Sequence, residues 1–218
     1  MALPQIEPYP LPTPDTLPAN RVSWTPEPDR VALLVHDMQH YFLRPYASGE
    51  PPLAGALDNI AALRQVCHAI GAPVIYTAKP GDMAAKERGL ERDFWGRGMR
   101  AVSEDTDIVA QLRPHDGDVL LVKHRYSAFL GTDLVERMAR SGRDQIIITG
   151  VYAHIGCLIT ATDAFMRDLQ AFFVADAMAD FSAEDHYYAM RYAARRCAVT
   201  LPTAALTTTL TRGPARIA

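Results

Sequence analysis

Polar residues that could carry out acid-base chemistry follow three of the short apolar runs in this sequence. Asp37, preceded by His36, follows VALLV, Lys123 follows DVLLV, and the glycine-containing turn at residues 150–156 follows QIIIT. A carboxylate, an ammonium and a turn leading into a helix at neighbouring strand ends would form a pocket suited to moving a proton beside an anionic ligand. Considered singly, Asp37 could merely cap a turn, and Lys123 could be a solvated strand end. Their combination favours an active site.

The connection after another apolar run adds cations and aromatic rings that could cover such a pocket. Lys79 follows the run PVIYT after one intervening residue, Ala78. Five further residues lie in the next connection, namely Arg88, Phe94, Trp95, Arg97 and Arg100. Together they predict a cationic, partly aromatic lid. The alternative for each arginine is a solvated side chain that binds no ligand.

Six short apolar runs indicate the elements that must position these residues. They begin at residues 31, 73, 118, 145, 171 and 197 and read VALLV, PVIYT, DVLLV, QIIIT, AFFVA and CAVT. Because each is apolar almost continuously, both faces of the sheet should be covered, which is typical of parallel strands flanked by helices. We therefore predict an α/β fold with a doubly wound, mostly parallel six-stranded sheet and helices on both faces. Such sheets bind ligands beyond the carboxyl ends of their strands.

Amphipathic segments between the apolar runs predict the helices. One helical face has the spacing of Leu53, Leu57, Ile60 and Leu63. Gly71 then follows as a plausible helix stop before the next strand. Farther along, Ser182 with Asp185 has the pattern of a capped helix start, and the stretch through Arg196 contains neither glycine nor proline. We predict a helix there as well.

Composition indicates a globular chain. Its 218 residues are 49% apolar and 22% charged, with a formal net charge of −3, which fits one core that we assign to residues 26–212. The proline-rich residues 1–25 should form an extended arm, packed on this subunit or on a neighbour, and residues 213–218 a tail. Lysine and arginine are scattered, so we expect no nucleic-acid partner. Neither a secretory signal nor a membrane anchor is recognisable, so we expect a cytoplasmic location.

Several long stretches make the chain resemble the isochorismatases, a branch of the cysteine-hydrolase superfamily that also contains nicotinamidases. The stretches are LLVHDMQHYFLRP, YTAKPGD, RGLERDFWGRGM, KHRYSAF, GRDQIIITGVYAHIGCLITATDAFMRD and VADAMADFS. They occur in order and span nearly the whole chain. The resemblance therefore implies an isochorismatase-like hydrolase fold and activity.

The resemblance also implies roles for particular residues. Superfamily members with a nucleophile use an Asp after the first strand, a Lys after the third and a Cys at the start of the helix after the fourth. Asp37 and Lys123 match the first two positions, and Gly156 stands at the third, as in isochorismatases. Cys157 lies one residue farther on, which rotates a helical side chain by roughly 100°. A non-proline cis peptide bond is implied between Tyr152 and Ala153.

The implied substrate is isochorismate, a small dianion whose pyruvyl unit is joined to its ring by a vinyl ether. Hydrolysis gives pyruvate and 2,3-dihydro-2,3-dihydroxybenzoate and needs a proton on the terminal methylene carbon, without a covalent intermediate. We expect Asp37 to donate that proton, although an ordinary carboxyl with a pKa of about 3.9 is ionised at neutral pH. Burial and a dianionic substrate favour the neutral acid, whereas Lys123 favours the carboxylate. The sequence leaves that balance open.

The remaining candidates are the side chains that would surround the substrate. We assign substrate binding to Phe42, Lys79, Arg88, Trp95, Tyr126, Phe129, Tyr152 and Ala153. Gly156 should free volume for the substrate's ring, and backbone N–H groups of its turn could hold an anionic group. Family members commonly have glutamine where Lys79 stands, so its effect on selectivity is open. We expect no metal and no cofactor, and we interpret His36 and His154 as structural or supporting residues.

Three other functions compete with this interpretation. The related hydrolases of phenazine pathways act on 2-amino-2-deoxyisochorismate and give 2,3-dihydro-3-hydroxyanthranilate, but Lys79 would lie unfavourably near an ammonium. A nicotinamidase-type amidase would have to use Cys157. A partner function is less favoured, because no aryl carrier motif occurs before the sequence stops at Ala218. The proline-rich arm and the resemblance both favour self-association, as a homodimer or a higher homo-oligomer.

Overall fold

Six strands form one entirely parallel sheet in the computed structural model of this chain, which describes residues 3–212. The strands are Val31–His36 (β1), Val74–Ala78 (β2), Val119–Val122 (β3), Gln145–Val151 (β4), Gln170–Ala179 (β5) and Ala198–Leu201 (β6). Their order is β3-β2-β1-β4-β5-β6. The predicted α/β sheet is confirmed, and each apolar run forms one of its strands. The predicted tail, residues 213–218, lies outside the described residues.

Nine α-helices occur within residues 3–212. They are His40–Leu43 (α1), Leu53–Ala69 (α2), Ala85–Arg88 (α3), Glu91–Trp95 (α4), Ser103–Thr106 (α5), Leu134–Arg140 (α6), Leu158–Phe165 (α7), Ala183–Arg196 (α8) and Thr203–Arg212 (α9). Short 3₁₀ helices lie at Pro14–Thr16 and Ala110–Leu112, and a π-helical turn at Ala153–Cys157 precedes α7. The short helices α3, α4 and α5 all belong to the connection between β2 and β3.

Alternating side chains of β1 enter two separate apolar cores, one on each face of the sheet. Leu33 packs in the core that includes residues of α2 and α9, whereas Leu34 packs in the core that includes residues of α6, α7 and α8. Both leucines are fully buried. A strand covered on both faces gains free energy from every apolar side chain, about 1.5–3 kcal/mol for each leucine. This explains why the run is apolar without alternation.

The edge strand β3 departs from that prediction. Leu120 and Val122 are each 53% exposed, while Leu121 is buried in the core with α6. Strand β3 lies at the edge of the sheet, and the exposure of Leu120 and Val122 shows that residues 3–212 leave the face on which they lie largely uncovered. The prediction that both faces are covered is therefore wrong for this strand, because an apolar run does not reveal its position in the sheet.

The two helices predicted from sequence are present with the expected ends. In α2, Ile60 and Leu63 are fully buried, and Gly71 follows the helix with a φ of 67°, a left-handed conformation that favours glycine. Ser182 caps α8, because its side chain accepts a hydrogen bond of 3.0 Å from the N–H of Asp185. Such a cap stabilises a helix by about 1 kcal/mol.

The N-terminal segment packs across the carboxyl end of the sheet of its own chain. Ile6 is buried and donates its N–H to the carbonyl of Pro45 at 3.0 Å. The hydroxyl of Tyr9 accepts the N–H of Asp180, just after β5, at 2.7 Å. These contacts bring Leu3 to the cavity described below. Within residues 3–212, no helix is both long and apolar enough to cross a membrane.

Candidate active site

The three residues assigned to catalysis line one cavity at the carboxyl ends of the strands. Asp37 directly follows β1, Lys123 directly follows β3, and Gly156 lies in the π-helical turn after β4. The chain reverses its winding direction between β1 and β4, and sheets of this kind bind ligands at that point. The fold therefore brings together residues that are up to 119 positions apart in the sequence.

Asp37 and Lys123 form a buried ion pair. The Lys123 Nζ donates to the Asp37 Oδ2 at 2.8 Å, and the side chains are 1% and 7% exposed, respectively. Thr77 donates its hydroxyl to the other carboxylate oxygen at 2.6 Å. Lys123 also donates to the carbonyl of Arg125 at 2.9 Å. Both charged groups are thus fixed by contacts from several strand ends.

The ion pair decides the protonation state that the sequence left open. Burial raises the pKa of Asp37, but the ammonium of Lys123, the neighbouring His36 and the hydrogen bonds from Lys123 and Thr77 together lower it more. The net effect is a pKa of about 2, below the ordinary value of 3.8. Asp37 is therefore a carboxylate at neutral pH before a ligand binds. An acid role requires that it gains a proton in the complex.

The space beside Gly156 is filled by His36 and not by the substrate's ring. A Cβ at Gly156 would lie 2.1 Å from the Cε1 of His36, well inside van der Waals contact. The imidazole is held with Nδ1 at 2.9 Å from the carbonyl oxygen of Val151 and Nε2 at 3.2 Å from that of Tyr126. Burial lowers the pKa of His36 to about 4, so it is neutral at pH 7. The expectation that Gly156 frees volume for the substrate is corrected accordingly.

Lys79 is buried and paired inside the protein, an arrangement that the sequence did not predict. Its Nζ donates to the Oε2 of Glu91, and it lies 5.7 Å from the ring centre of Tyr126. Arg88 donates to the same Glu91 oxygen at 3.1 Å. Burial and the nearby Lys123 lower the pKa of Lys79, against the opposite effect of Glu91. Lys79 is therefore not an unpaired cation. The argument that it disfavours an amino substrate no longer holds.

Six of the sixteen residues that line the cavity are Phe, Tyr or Trp. Of the predicted residues, Phe42, Trp95, Tyr126 and Tyr152 line the cavity. Trp95 donates its indole N–H to the Tyr126 hydroxyl at 2.6 Å, and Tyr152 donates its hydroxyl to the Phe42 carbonyl at 2.6 Å. These bonds hold the polar edges of the rings and leave their faces for an apolar ligand surface.

Two assigned substrate-binding residues lie outside the cavity lining. Phe129 is buried in the core on the α6 side of the sheet, and the guanidinium of Arg167 lies 5.3 Å from its ring centre. Ala153 is fully buried in the same core. Both assignments are corrected, because these side chains fill the interior beside β4 and α7. The cis peptide bond joins Val151 and Tyr152, so the predicted position between Tyr152 and Ala153 is wrong by one bond.

Two features predicted around the cavity have other partners. Arg97 is exposed and pairs with Asp82 at 3.1 Å, and Arg100 pairs with Asp105 at 3.0 Å, so neither belongs to the cavity lining. In the turn after β4, the N–H of His154 donates to a carboxylate oxygen of Asp180 at 2.7 Å. A carboxylate of the chain itself thus occupies the anion position proposed for that turn.

Sequence reasoning missed six lining residues, which are Leu3, Tyr41, Glu91, Val151, Ile155 and Phe181. Glu91 lies three positions after Arg88, but Arg88 ends α3 and Glu91 begins α4, so helical spacing gave no signal for this pair. Phe181 lies shortly after β5, in the stretch VADAMADFS, which carries part of the family resemblance. Leu3 carries no local signal, since it reaches the cavity only through the path of the N-terminal segment.

Cys157 faces the protein interior. It is fully buried in the core on the α7 side, and its Sγ lies 3.8 Å from the carbonyl oxygen of Thr149. Burial raises the pKa of the thiol well above its usual value, which disfavours the reactive thiolate. Among residues 3–212, no group of three or more His, Cys, Asp or Glu side chains is placed to hold a metal ion.

Comparison with known proteins gives consistent matches over nearly the whole chain. A family model described as "Isochorismatase domain" matches residues 31–205. The "Isochorismatase" of Bacillus subtilis is 49% identical over 217 residues, covering 100% of this chain and 70% of that protein. "Phenazine biosynthesis protein PhzD1" of Pseudomonas aeruginosa is 52% identical over 201 residues, covering 92% and 96%.

Solved structures agree on the fold. A cysteine hydrolase from Pseudomonas syringae pv. phaseolicola superposes with a TM-score of 0.80 at 24% identity, covering 89% of this chain and 98% of that one. At that identity the likeness concerns the fold alone. From the family match, the two relatives near 50% identity and the cavity with Asp37, Lys123 and Gly156, we conclude that this chain belongs to the isochorismatase family of hydrolases.

Proposed function

We propose that this enzyme hydrolyses the vinyl ether of isochorismate to pyruvate and 2,3-dihydro-2,3-dihydroxybenzoate, with Asp37 as the proton donor. The observation that carries the proposal is the buried Asp37–Lys123 pair in the cavity at the switch point of the sheet. Among the described residues that line this cavity, none is a serine, threonine or cysteine. Vinyl-ether hydrolysis suits such a site, because the reaction starts with a proton and not with a nucleophilic side chain.

The proposed reaction leaves Asp37 as it began. Asp37 transfers a proton to the terminal methylene carbon, and the electron pair of the carbon–carbon double bond forms the new C–H bond. The resulting oxocarbenium ion takes up water, whose released proton returns to Asp37. The hemiketal then breaks its bond to the ring oxygen, and its hydroxyl proton passes to that oxygen, which gives pyruvate and the ring alcohol. The net reaction consumes one water molecule and no other reactant.

Asp37 must be protonated before it can act as an acid. In the ligand-free site its pKa is about 2. A dianionic substrate adds negative charge beside the pair, which raises the pKa of the carboxyl group. We propose that Lys123 then interacts chiefly with the substrate or the attacking water. That interaction draws the ammonium away from its 2.8 Å contact with Asp37, which then takes up a proton from solvent as the substrate binds.

Substrate binding is assigned to two parts of the cavity. The cationic groups of Arg88 and Lys123 lie within reach of substrate carboxylates, since both residues line the cavity. The ring would pack between the aromatic side chains of Trp95, Tyr126 and Tyr152. Aromatic faces favour a flat cyclohexadiene ring through apolar contact.

A second candidate substrate is 2-amino-2-deoxyisochorismate, with the same bond cleaved. It is favoured by Glu91, a carboxylate at the cavity that neutralises Lys79 and so removes the earlier argument against a substrate ammonium. The two substrates differ only in the ring substituent next to the ether-bearing carbon, a hydroxyl in one and an ammonium in the other. The catalytic step assigned to Asp37 is identical for both.

The deciding experiment is pyruvate release measured through lactate dehydrogenase. Wild-type enzyme should release pyruvate from isochorismate, Asp37→Ala and Asp37→Asn should lose activity by several orders of magnitude, and Cys157→Ala should retain it. The Asp37→Asn variant preserves the shape of the side chain but cannot donate a carboxyl proton. Full activity in Asp37→Asn would refute the proposed chemistry. Absence of pyruvate from both candidate substrates would refute the proposed function.

We also propose that the protein acts as a homodimer, as the family resemblance implies, and that it works in the cytoplasm. Sedimentation of the purified protein over a range of concentrations tests the assembly state. A monomer at micromolar concentration with full activity would exclude a required dimer.

A further inference from the structure

The two carboxylate oxygens of Glu91, the first residue of α4, differ in their hydrogen bonds. Its Oε2 accepts hydrogen bonds from Lys79 and, at 3.1 Å, from Arg88. Its Oε1 is buried and accepts no hydrogen bond from any residue between 3 and 212. The whole residue is only 7% exposed, and it lines the cavity together with Asp37.

A buried carboxylate oxygen without a donor is costly. Leaving such a group unsatisfied costs about 1–3 kcal/mol for a neutral acceptor and more for a charged one. Folded proteins therefore satisfy nearly all buried polar atoms, and an exception calls for a specific explanation. Since Glu91 lines the cavity, a ligand in the cavity can supply the missing donor.

The carboxylate is also held in place before a ligand arrives. Lys79 and Arg88 both bind the Oε2 atom, and the Nε of Arg88 donates to the carbonyl of Gly96 at 3.0 Å. A fixed acceptor loses little conformational entropy when a donor binds, so the new hydrogen bond contributes more of its strength to affinity. These contacts favour a role for Glu91 in ligand recognition over a role in packing alone.

We propose that the Oε1 atom of Glu91 accepts a hydrogen bond from the donor substituent on the substrate's ring, and that Glu91 thereby sets the preference between a ring ammonium and a ring hydroxyl. The inference rests on the proposed function, because both candidate substrates carry that substituent beside the ether-bearing carbon. A carboxylate binds an ammonium through charge as well as hydrogen bonding, so Glu91 raises the specificity for the amino substrate relative to the hydroxy substrate.

The test compares specificity constants, kcat/KM for pyruvate release, on the two substrates. Because a hydrogen bond between charged partners is roughly twice as strong as a neutral one, Glu91→Gln should lower the amino-to-hydroxy ratio about tenfold. The double variant Lys79→Gln/Glu91→Gln removes one positive and one negative charge, so the formal charge of the cavity is unchanged. It should show the same fall in the ratio. Asp93→Asn, an exposed carboxylate in α4, is the matched control and should leave the ratio unchanged.

A purely structural role for Glu91 predicts a different result. If Glu91 only holds Lys79 and Arg88, Glu91→Gln should lower kcat/KM equally for both substrates, and an unchanged ratio in both variants would overturn the inference. Thermal unfolding of each variant shows whether it is folded at the assay temperature. Wild-type enzyme that releases pyruvate from neither substrate would instead refute the proposed function, so the two failures are distinguishable.

Discussion

Replacing Gly156 with alanine should destabilise the protein, although alanine usually stabilises a helical position. Gly156 has no positive φ, so its backbone conformation does not require glycine. In an ordinary helix, alanine would be favoured there by about 0.5–1 kcal/mol. Here the new Cβ would lie 2.1 Å from His36 Cε1, so the imidazole must move. The displaced side chain of His36 is therefore the expected source of the lost stability.

The expected magnitude follows from the contacts of that ring. Overpacking a buried site costs about 1–3 kcal/mol. Moving the imidazole also weakens its contacts with the carbonyls of Val151 and Tyr126, and a hydrogen bond contributes about 0.5–1.5 kcal/mol to stability. After subtracting the helical preference for alanine, Gly156→Ala should lower the free energy of unfolding by about 2 kcal/mol.

Urea unfolding at pH 7, followed by circular dichroism, measures this effect in a double-mutant cycle with His36→Ala. In the His36→Ala background the clash is absent, so Gly156→Ala should be neutral or slightly stabilising. The coupling between the two substitutions should therefore be about 2 kcal/mol. An equal cost of Gly156→Ala in both backgrounds would refute the role of His36. By the same reasoning, Gly156→Cys should not yield a thiol hydrolase while His36 occupies that space.

Three further predictions concern charge, the thiol and the lid. The pKa of Asp37 is lowered to about 2, so its contribution to stability is present above pH 3.8 and is lost as pH falls toward 2. Lys123→Met removes the cation that lowers this pKa and leaves a buried carboxylate without its partner, so urea unfolding should show a loss of about 3–5 kcal/mol near pH 7 that shrinks on acidification. A loss that stayed constant with pH would contradict the ion pair. Iodoacetamide should leave activity intact, because Cys157 is buried with a raised pKa; stoichiometric inactivation would contradict this. Substrate should change the fluorescence of Trp95, which lines the cavity, so the signal should persist in Trp24→Phe and vanish in Trp95→Phe.

The position of Glu91 shows why selectivity was difficult to infer from sequence. Lys79 alone suggested an unpaired cation near the substrate, which argued against an amino group. The structure pairs it with Glu91, twelve positions later and on a different element. A charged residue can be interpreted for binding only together with the groups that neutralise it. Because Glu91 neutralises Lys79, Lys79 alone no longer argues against the amino substrate.

The sequence by itself determined the sheet, its parallel character, the helices at α2 and α8, and the strand ends that hold Asp37 and Lys123. Those features depend on short-range spacing, on continuous apolar runs and on local caps, all of which are visible in a few neighbouring residues. The resemblance added Gly156 at the position of the missing nucleophile. It did not explain what occupies the space beside that glycine.

Only the tertiary structure decided which groups touch and which charges cancel. His36 and Gly156 are 120 positions apart, yet the imidazole of one fills the space where the other would have a side chain. The protonation of Asp37 depended on a 2.8 Å contact and on burial, two quantities that spacing along the chain does not contain. Electrostatic energies vary with distance and surroundings, so the strand ends could be predicted from the sequence but not the balance of charges between them.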